Sequence, residues 1–158
     1  MKHFLGKGIF TTDGEFWKTQ RNLAKPSFQT VKLEGMVEIF TRHSEELVEV
    51  LKKRTENGQS VDVQKLFLCF TLDSSGEVLF QHSIGSLQGD IPFQRAFDYL
   101  QYETEQILTN PLLMFVPNSK YSAAVKTCNE FVEKIIHAAK EDPNLKTRED
   151  LLAHFMTS

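Results

Sequence analysis

VQKLFLCFTLDSSGEVLF, Val63 to Phe80, is the stretch whose reading decides the fold. Its apolar side chains fall on nearly every face, so periodicity alone does not separate helix from buried strand. A strand over Phe67 to Leu72 is the competing reading, but the length of the segment and the lack of a hairpin signal favour helix. Asp62 stands where its carboxylate can cap that helix. A helix apolar all round is normally buried in a protein larger than this one. Ser74 and Ser75, inside it, are expected to bond back to helix carbonyls rather than attack a substrate.

Outward from this segment the chain reads as helices separated by Gly and Pro. Upstream, Leu33, Met36, Val37, Phe40, Leu47, Val48 and Leu51 recur at helical spacing and predict one long helix closed by Asn57-Gly58. Before it, Asp13 is a candidate N-cap for a short helix from Gly14 to Ala24, which Lys25-Pro26 ends because the residue before a proline resists the α conformation. Downstream, Gly85 and Gly89 break the chain and Pro92 suits a first helical position. Phe93, Phe97, Leu100, Thr104, Ile107 and Leu108 then form a second stripe that stops near Asn110-Pro111.

PLLMFVP, Pro111 to Pro117, has two readings: a proline-bounded plug in the core, which is favoured, or an exposed apolar tip. An amphipathic helix follows, with Val125, Cys128, Val132, Ile135 and Ala139 inward and Lys126, Glu130, Lys134 and Glu141 outward. Glu130 and Lys134 stand in the favourable i,i+4 orientation. Thr147 and Asp150 read as a capping-box variant opening a last helix, LLAHFMTS, whose Leu151, Leu152 and Phe155 need a partner surface. The expectation is an all-α chain.

At 158 residues the length suits one domain, and a complete domain of that size buries about 68–70% of its unfolded surface. The composition, 41% hydrophobic and 25% charged, is that of an ordinary globular protein. Thirteen Phe against one Trp imply a bulky aromatic core or an apolar ligand. Lys and Arg total 18 against 21 Asp and Glu, a net charge of −3, so there is no global positive field to bind nucleic acid. Cys69 and Cys128 show neither metal-ligand nor disulfide spacing and read as buried free thiols in a reducing compartment. No apolar run approaches the roughly 18 residues of a membrane span. The opening MKHFLGKGIF lacks the apolar core of a signal peptide.

Catalytic motifs are scarce. Gly6-Lys7-Gly8 completes no nucleotide-binding pattern, and there is no nucleophile elbow. His43 with Glu46, and Glu133 with His137, have the one-turn spacing of helical metal ligands. A di-iron bundle needs four carboxylates and two Glu-x-x-His pairs, so both read as solvated polar faces. Trp17 and Arg21 remain. They stand at i and i+4, so an indole N–H and a guanidinium, both pure donors, project from one helix face. Two readings stay open: a surface cation–π contact, or a site for a carboxylate or phosphate.

LGKGIFTTDGEFWKTQRNLAKPSF, Leu5 to Phe28, resembles the region around helix C in the cytochrome P-450 family of haem-thiolate monooxygenases. There a Gly-Ile-Phe turn and an Asp-Gly precede a Trp-x-x-x-Arg whose donors hold a haem propionate. Val61 to Phe80 is similar to the family's buried helix E, and its Phe-Thr-Leu-Asp-Ser core resembles that of the long-chain fatty-acid and alkane hydroxylases of fungi and plants. Arg148 to Met156 is similar to the helix before the oxygen-binding helix.

The resemblance implies a mainly helical fold spanning helix C to about helix H, with haem as cofactor and Trp17 and Arg21 as its propionate donors. It also implies an apolar substrate such as a fatty acid, a redox partner reductase, and an endoplasmic-reticulum membrane setting for a full-length parent whose anchor lies outside this chain. Phe4, Ile9 and Phe10 would lie over the substrate. Ile107 and Leu108 would line an access channel, and Leu112, Leu113, Met114 and Phe115 would touch a membrane. The family's Phe-x-x-Gly-x-x-x-Cys-x-Gly loop, its Glu-x-x-Arg and its Ala-Gly-x-Asp-Thr motif are not in this sequence. Cys69 and Cys128 are therefore not taken as iron ligands, and no catalytic residue is assigned. Residues 1–158 are expected to be a partial domain, truncated at both ends and inactive alone. The rival class is a non-enzymatic interaction module whose Phe-rich stripes grip another protein's helices.

Overall fold

A computed structural model of the chain describes residues 5–28, 30–56, 58 and 60–157, with the side chains of 30–34 and 114 outside the description. Every regular element among the described residues is a helix: α1 Gly14–Ala24, α2 Thr30–Glu56, α3 Val63–Phe80, α4 Pro92–Thr109, α5 Ser119–Glu141 and α6 Leu151–Met156. Short 3₁₀ turns occupy Lys25–Phe28, Pro111–Phe115 and Leu145–Thr147. The chain divides into two compact units, Leu23–Gly89 with Pro143–Ser158, and the residues up to Asn22 with Asp90–Asp142.

The first unit is built on α2 and α3. Asp62 caps α3 by accepting from the Lys65 amide at 3.0 Å, and the segment is helical throughout, Phe67 to Leu72 included. Leu47 of α2 packs with Leu66 and Cys69 of α3 and with Leu87 of the following loop. That loop is pinned by a fully buried carboxylate. Asp73 accepts from the Ser86 amide at 2.8 Å and from the Leu87 amide at 2.9 Å, while the Ser86 hydroxyl donates to the Cys69 carbonyl. Gly76 permits the close approach: a Cβ there would lie 2.9 Å from the His82 carbonyl oxygen and from the Ile84 side chain. Ser74 donates to the Phe70 carbonyl at 2.7 Å, as expected of a helix-interior serine.

α6 packs on α3 in the same unit. Its N-cap is Asp150, which accepts from the Ala153 amide at 3.1 Å, whereas the Thr147 hydroxyl donates to the Asn144 carbonyl. The capping-box expectation is corrected accordingly: Thr147 closes the preceding turn, and Asp150 alone of the pair serves α6. Arg148 bonds Asp150 at 2.8 Å and reaches the Phe80 carbonyl at 3.0 Å, joining the ends of α3 and α6. A cation at a helix C-terminus complements the carbonyl dipoles there.

In the second unit α4 and α5 form an antiparallel hairpin, since Phe93 stacks on Phe131 at 4.1 Å between centroids while Tyr99 meets Asn118. Leu100, completely buried, sits with Ala124 and Cys128 at its centre. Burying such a side chain stabilises by about 1.5–3 kcal/mol. Asn118 caps α5 through the Tyr121 amide and donates to the Tyr99 hydroxyl at 2.9 Å. Two expectations are corrected here. Val132 is exposed at 45%, because its neighbour Phe131 takes the inward place against Phe93. Glu130 reaches back to Lys126, at 3.8 Å.

Pro111–Phe115 is the exposed tip of this hairpin and not a core plug. Leu112 is 72% exposed and Phe115 79%, so the plug reading is overturned. Asn110, ending α4 and capping the 3₁₀ turn through the Leu112 amide, carries these side chains outward. Met114 has its side chain outside the description.

Candidate functional site

The turn before α1 is knotted by its own hydroxyls. Thr11 donates to the Gly6 and Gly8 carbonyls and Thr12 to Gly8, while Gly6 takes the left-handed conformation that favours glycine. Gln20 of α1 donates to the Lys7 carbonyl at 2.9 Å and fastens the turn to the helix. α1 buries none of its own side chains, so the face presented by Trp17 and Arg21 stands open. The i,i+4 spacing brings the two into contact, the Arg21 guanidinium carbon lying 5.4 Å from the indole centroid.

This contact leaves chemistry available. A guanidinium stacked on an aromatic face keeps the N–H groups of its edge free for bidentate bonds to a carboxylate. Among the described residues no carboxylate pairs with Arg21. Lys18, the other cation of α1, is taken by Glu15 at 3.5 Å in an exposed pair. The cation–π contact and the anion site are therefore compatible, because the stack holds the fork whose edge would bind.

The remaining expected site residues scatter. Phe4 lies outside the described residues. Ile9 is half-buried and Phe10 83% exposed in the turn before α1, whereas Ile107 and Leu108 occupy the last turn of α4, with Leu108 61% exposed. Cys69 and Cys128 are buried and outside any disulfide, as expected. Burial pushes the Cys128 thiol up to about 11. Glu133 and His137 are exposed, as a solvated face requires.

His43 is not on a solvated face. It is completely buried, with Nδ1 3.2 Å from Glu46 Oε2 and Nε2 2.9 Å from Glu77 Oε2. The His43–Glu46 spacing was visible in the sequence; Glu77, on α3, was not. No group of three or more metal-ligating side chains suited to a metal ion occurs among the described residues.

Among the described residues every regular element is a helix, and α1 presents an indole N–H and a guanidinium in contact on one open face. The cytochrome P450 family model matches residues 1–158, and the chain belongs to that family. It is 31% identical over 150 residues to cytochrome P450 52A4 of Candida maltosa, covering 85% of this chain and 27% of that protein. It is 30% identical over 152 residues to cytochrome P450 704B1 of Arabidopsis thaliana, covering 90% and 29%. The crystal structure of a cytochrome P450 (CYP102L1) superposes with a TM-score of 0.79 at 20% identity, covering 99% of this chain and 37% of that one, which speaks to the fold. The chain thus spans roughly a quarter to a third of the length of these curated relatives.

Proposed function

We propose that this chain is a partial domain of a haem-dependent monooxygenase that inserts one oxygen atom into an apolar substrate, a long-chain fatty acid by the resemblance of its α3 string. The observation that carries the reading is the Trp17–Arg21 pair, two donors in contact on an open helix face with, among the described residues, no carboxylate competing for Arg21. Their donor chemistry fits a haem propionate: Arg21 supplies a charge-assisted fork and Trp17 one N–H. Haem, when bound, supplies the oxygen-activating redox centre, and this chain's own contribution is to orient it.

In the same reading Phe4, Ile9 and Phe10 face the substrate, Ile107 and Leu108 line its entry, and a reductase delivers electrons. Leu112, Leu113, Met114 and Phe115 rest on the endoplasmic-reticulum membrane. The exposure of Leu112 and Phe115 supports that last assignment. No described helix is long and apolar enough to cross a membrane. Membership of the family favours an enzymatic parent over a stand-alone interaction module.

The test is the haem-to-protein ratio of the purified haem-bound polypeptide that carries this segment. Arg21→Ala removes a contact worth about 1.5–3 kcal/mol, roughly ten- to hundredfold in haem dissociation. Trp17→Phe keeps the ring and loses less, and Arg21→Lys rescues in part because it keeps the charge without the fork. An unchanged ratio in Arg21→Ala sinks the propionate role.

A further inference from the structure

We propose that His43 is a charged clasp between α2 and α3, carrying a proton on both ring nitrogens, and that this makes the pairing of the two helices sensitive to alkali. Both nitrogens face carboxylate oxygens, Glu46 on the same helix and Glu77 on α3, and the ring is completely buried. An ionised carboxylate only accepts, and a neutral imidazole has a single N–H. Only the doubly protonated ring donates to both neighbours; with one proton, a nitrogen lone pair is pressed against a carboxylate oxygen.

Among the described residues the other charged group bonded at the clasp is Arg42, which pairs with the second oxygen of Glu77. Arg42 balances the second carboxylate, so the cluster of two cations and two anions is neutral when the ring is charged. Leaving a buried polar group unsatisfied costs more than the bond contributes when made. The folded helix pair therefore favours the protonated ring. Its stabilisation is complete while the ring is charged in both folded and unfolded chains, and it is lost as rising pH removes the folded ring's proton.

The experiment uses the 158-residue chain with ¹⁵N-labelled histidine, the His43 resonances being assigned by their loss in His43→Gln. Long-range proton–nitrogen correlation should show both His43 nitrogens protonated. Glu77→Gln places an amide at the clasp that can donate to a neutral ring. The urea midpoint of the wild-type chain should fall between mildly acidic and mildly alkaline buffer, while that of Glu77→Gln stays level. A singly protonated ring, or a wild-type midpoint that does not move, overturns the proposal. If Glu77→Gln fails to fold, the ring measurement on the wild-type chain decides.

Discussion

Asp73→Ala removes the anchor of the loop that follows α3. The carboxylate is 1% exposed and uses both oxygens, one for the Ser86 amide and one for the Leu87 amide, and both of those residues are themselves buried. Hydrogen bonds to a charged group are worth about 1.5–3 kcal/mol each, and their loss here strands two buried N–H donors. The expected destabilisation is about 3–5 kcal/mol, a large share of the 5–15 kcal/mol that typically holds a folded domain together. Asp73→Asn keeps one acceptor and turns the other position into a donor facing a donor, so its cost should be smaller. Urea unfolding gives the free energy, and amide exchange at Ser86 and Leu87 locates it. A loss under about 0.5 kcal/mol, the range of a surface substitution, would refute the reasoning, as would undiminished protection of the two amides.

Cys128 should resist thiol reagents in the folded chain and react on unfolding. Its buried thiol ionises only at about 11 against an ordinary 9.0, so the unfolded chain releases the proton first and stability should fall as pH rises across that interval; a Cys128→Ala variant with the same slope would count against this. Phe115→Asp should lower co-sedimentation with phospholipid vesicles roughly tenfold, since inserting one such side chain contributes about 1.5–3 kcal/mol, and equal binding would argue against the membrane assignment.

Helix boundaries were legible wherever local chemistry sets them. Asp62, Pro92 and Asn110-Pro111 act within a turn of their own positions, so α3 begins, and α4 begins and ends, where those residues say, whereas α3 closes on the left-handed Gln81, which carries no such signal. The donor pair was legible for the same reason, because i,i+4 geometry follows from the helix alone. What depended on distant chain was not. His43 looks solvated until Glu77, 34 residues away, is brought beside it. Val132 and Phe131 differ by one position, about 100° around the helix. The stripe alone does not choose between them, and the stack with Phe93 does. PLLMFVP reads as core by composition, and only the geometry of the hairpin tip places it outside.

The same distinction bears on the α3 string that resembles the fatty-acid and alkane hydroxylases. In Phe70-Thr71-Leu72-Asp73-Ser74, Asp73 anchors the next loop, Ser74 donates to the Phe70 carbonyl and Thr71 to the Leu68 carbonyl, while Phe70 packs against the core of α2 and α3. Four of the five residues thus meet demands of the helix and the loop packed on it. The string thus acts through the fold, and its likeness to the fatty-acid and alkane hydroxylases bears on the substrate as kinship, not as contact. A substrate must be distinguished by side chains that the fold leaves open; on the last turn of α4, Leu108 is 61% exposed, whereas Ile107 beside it is half-buried.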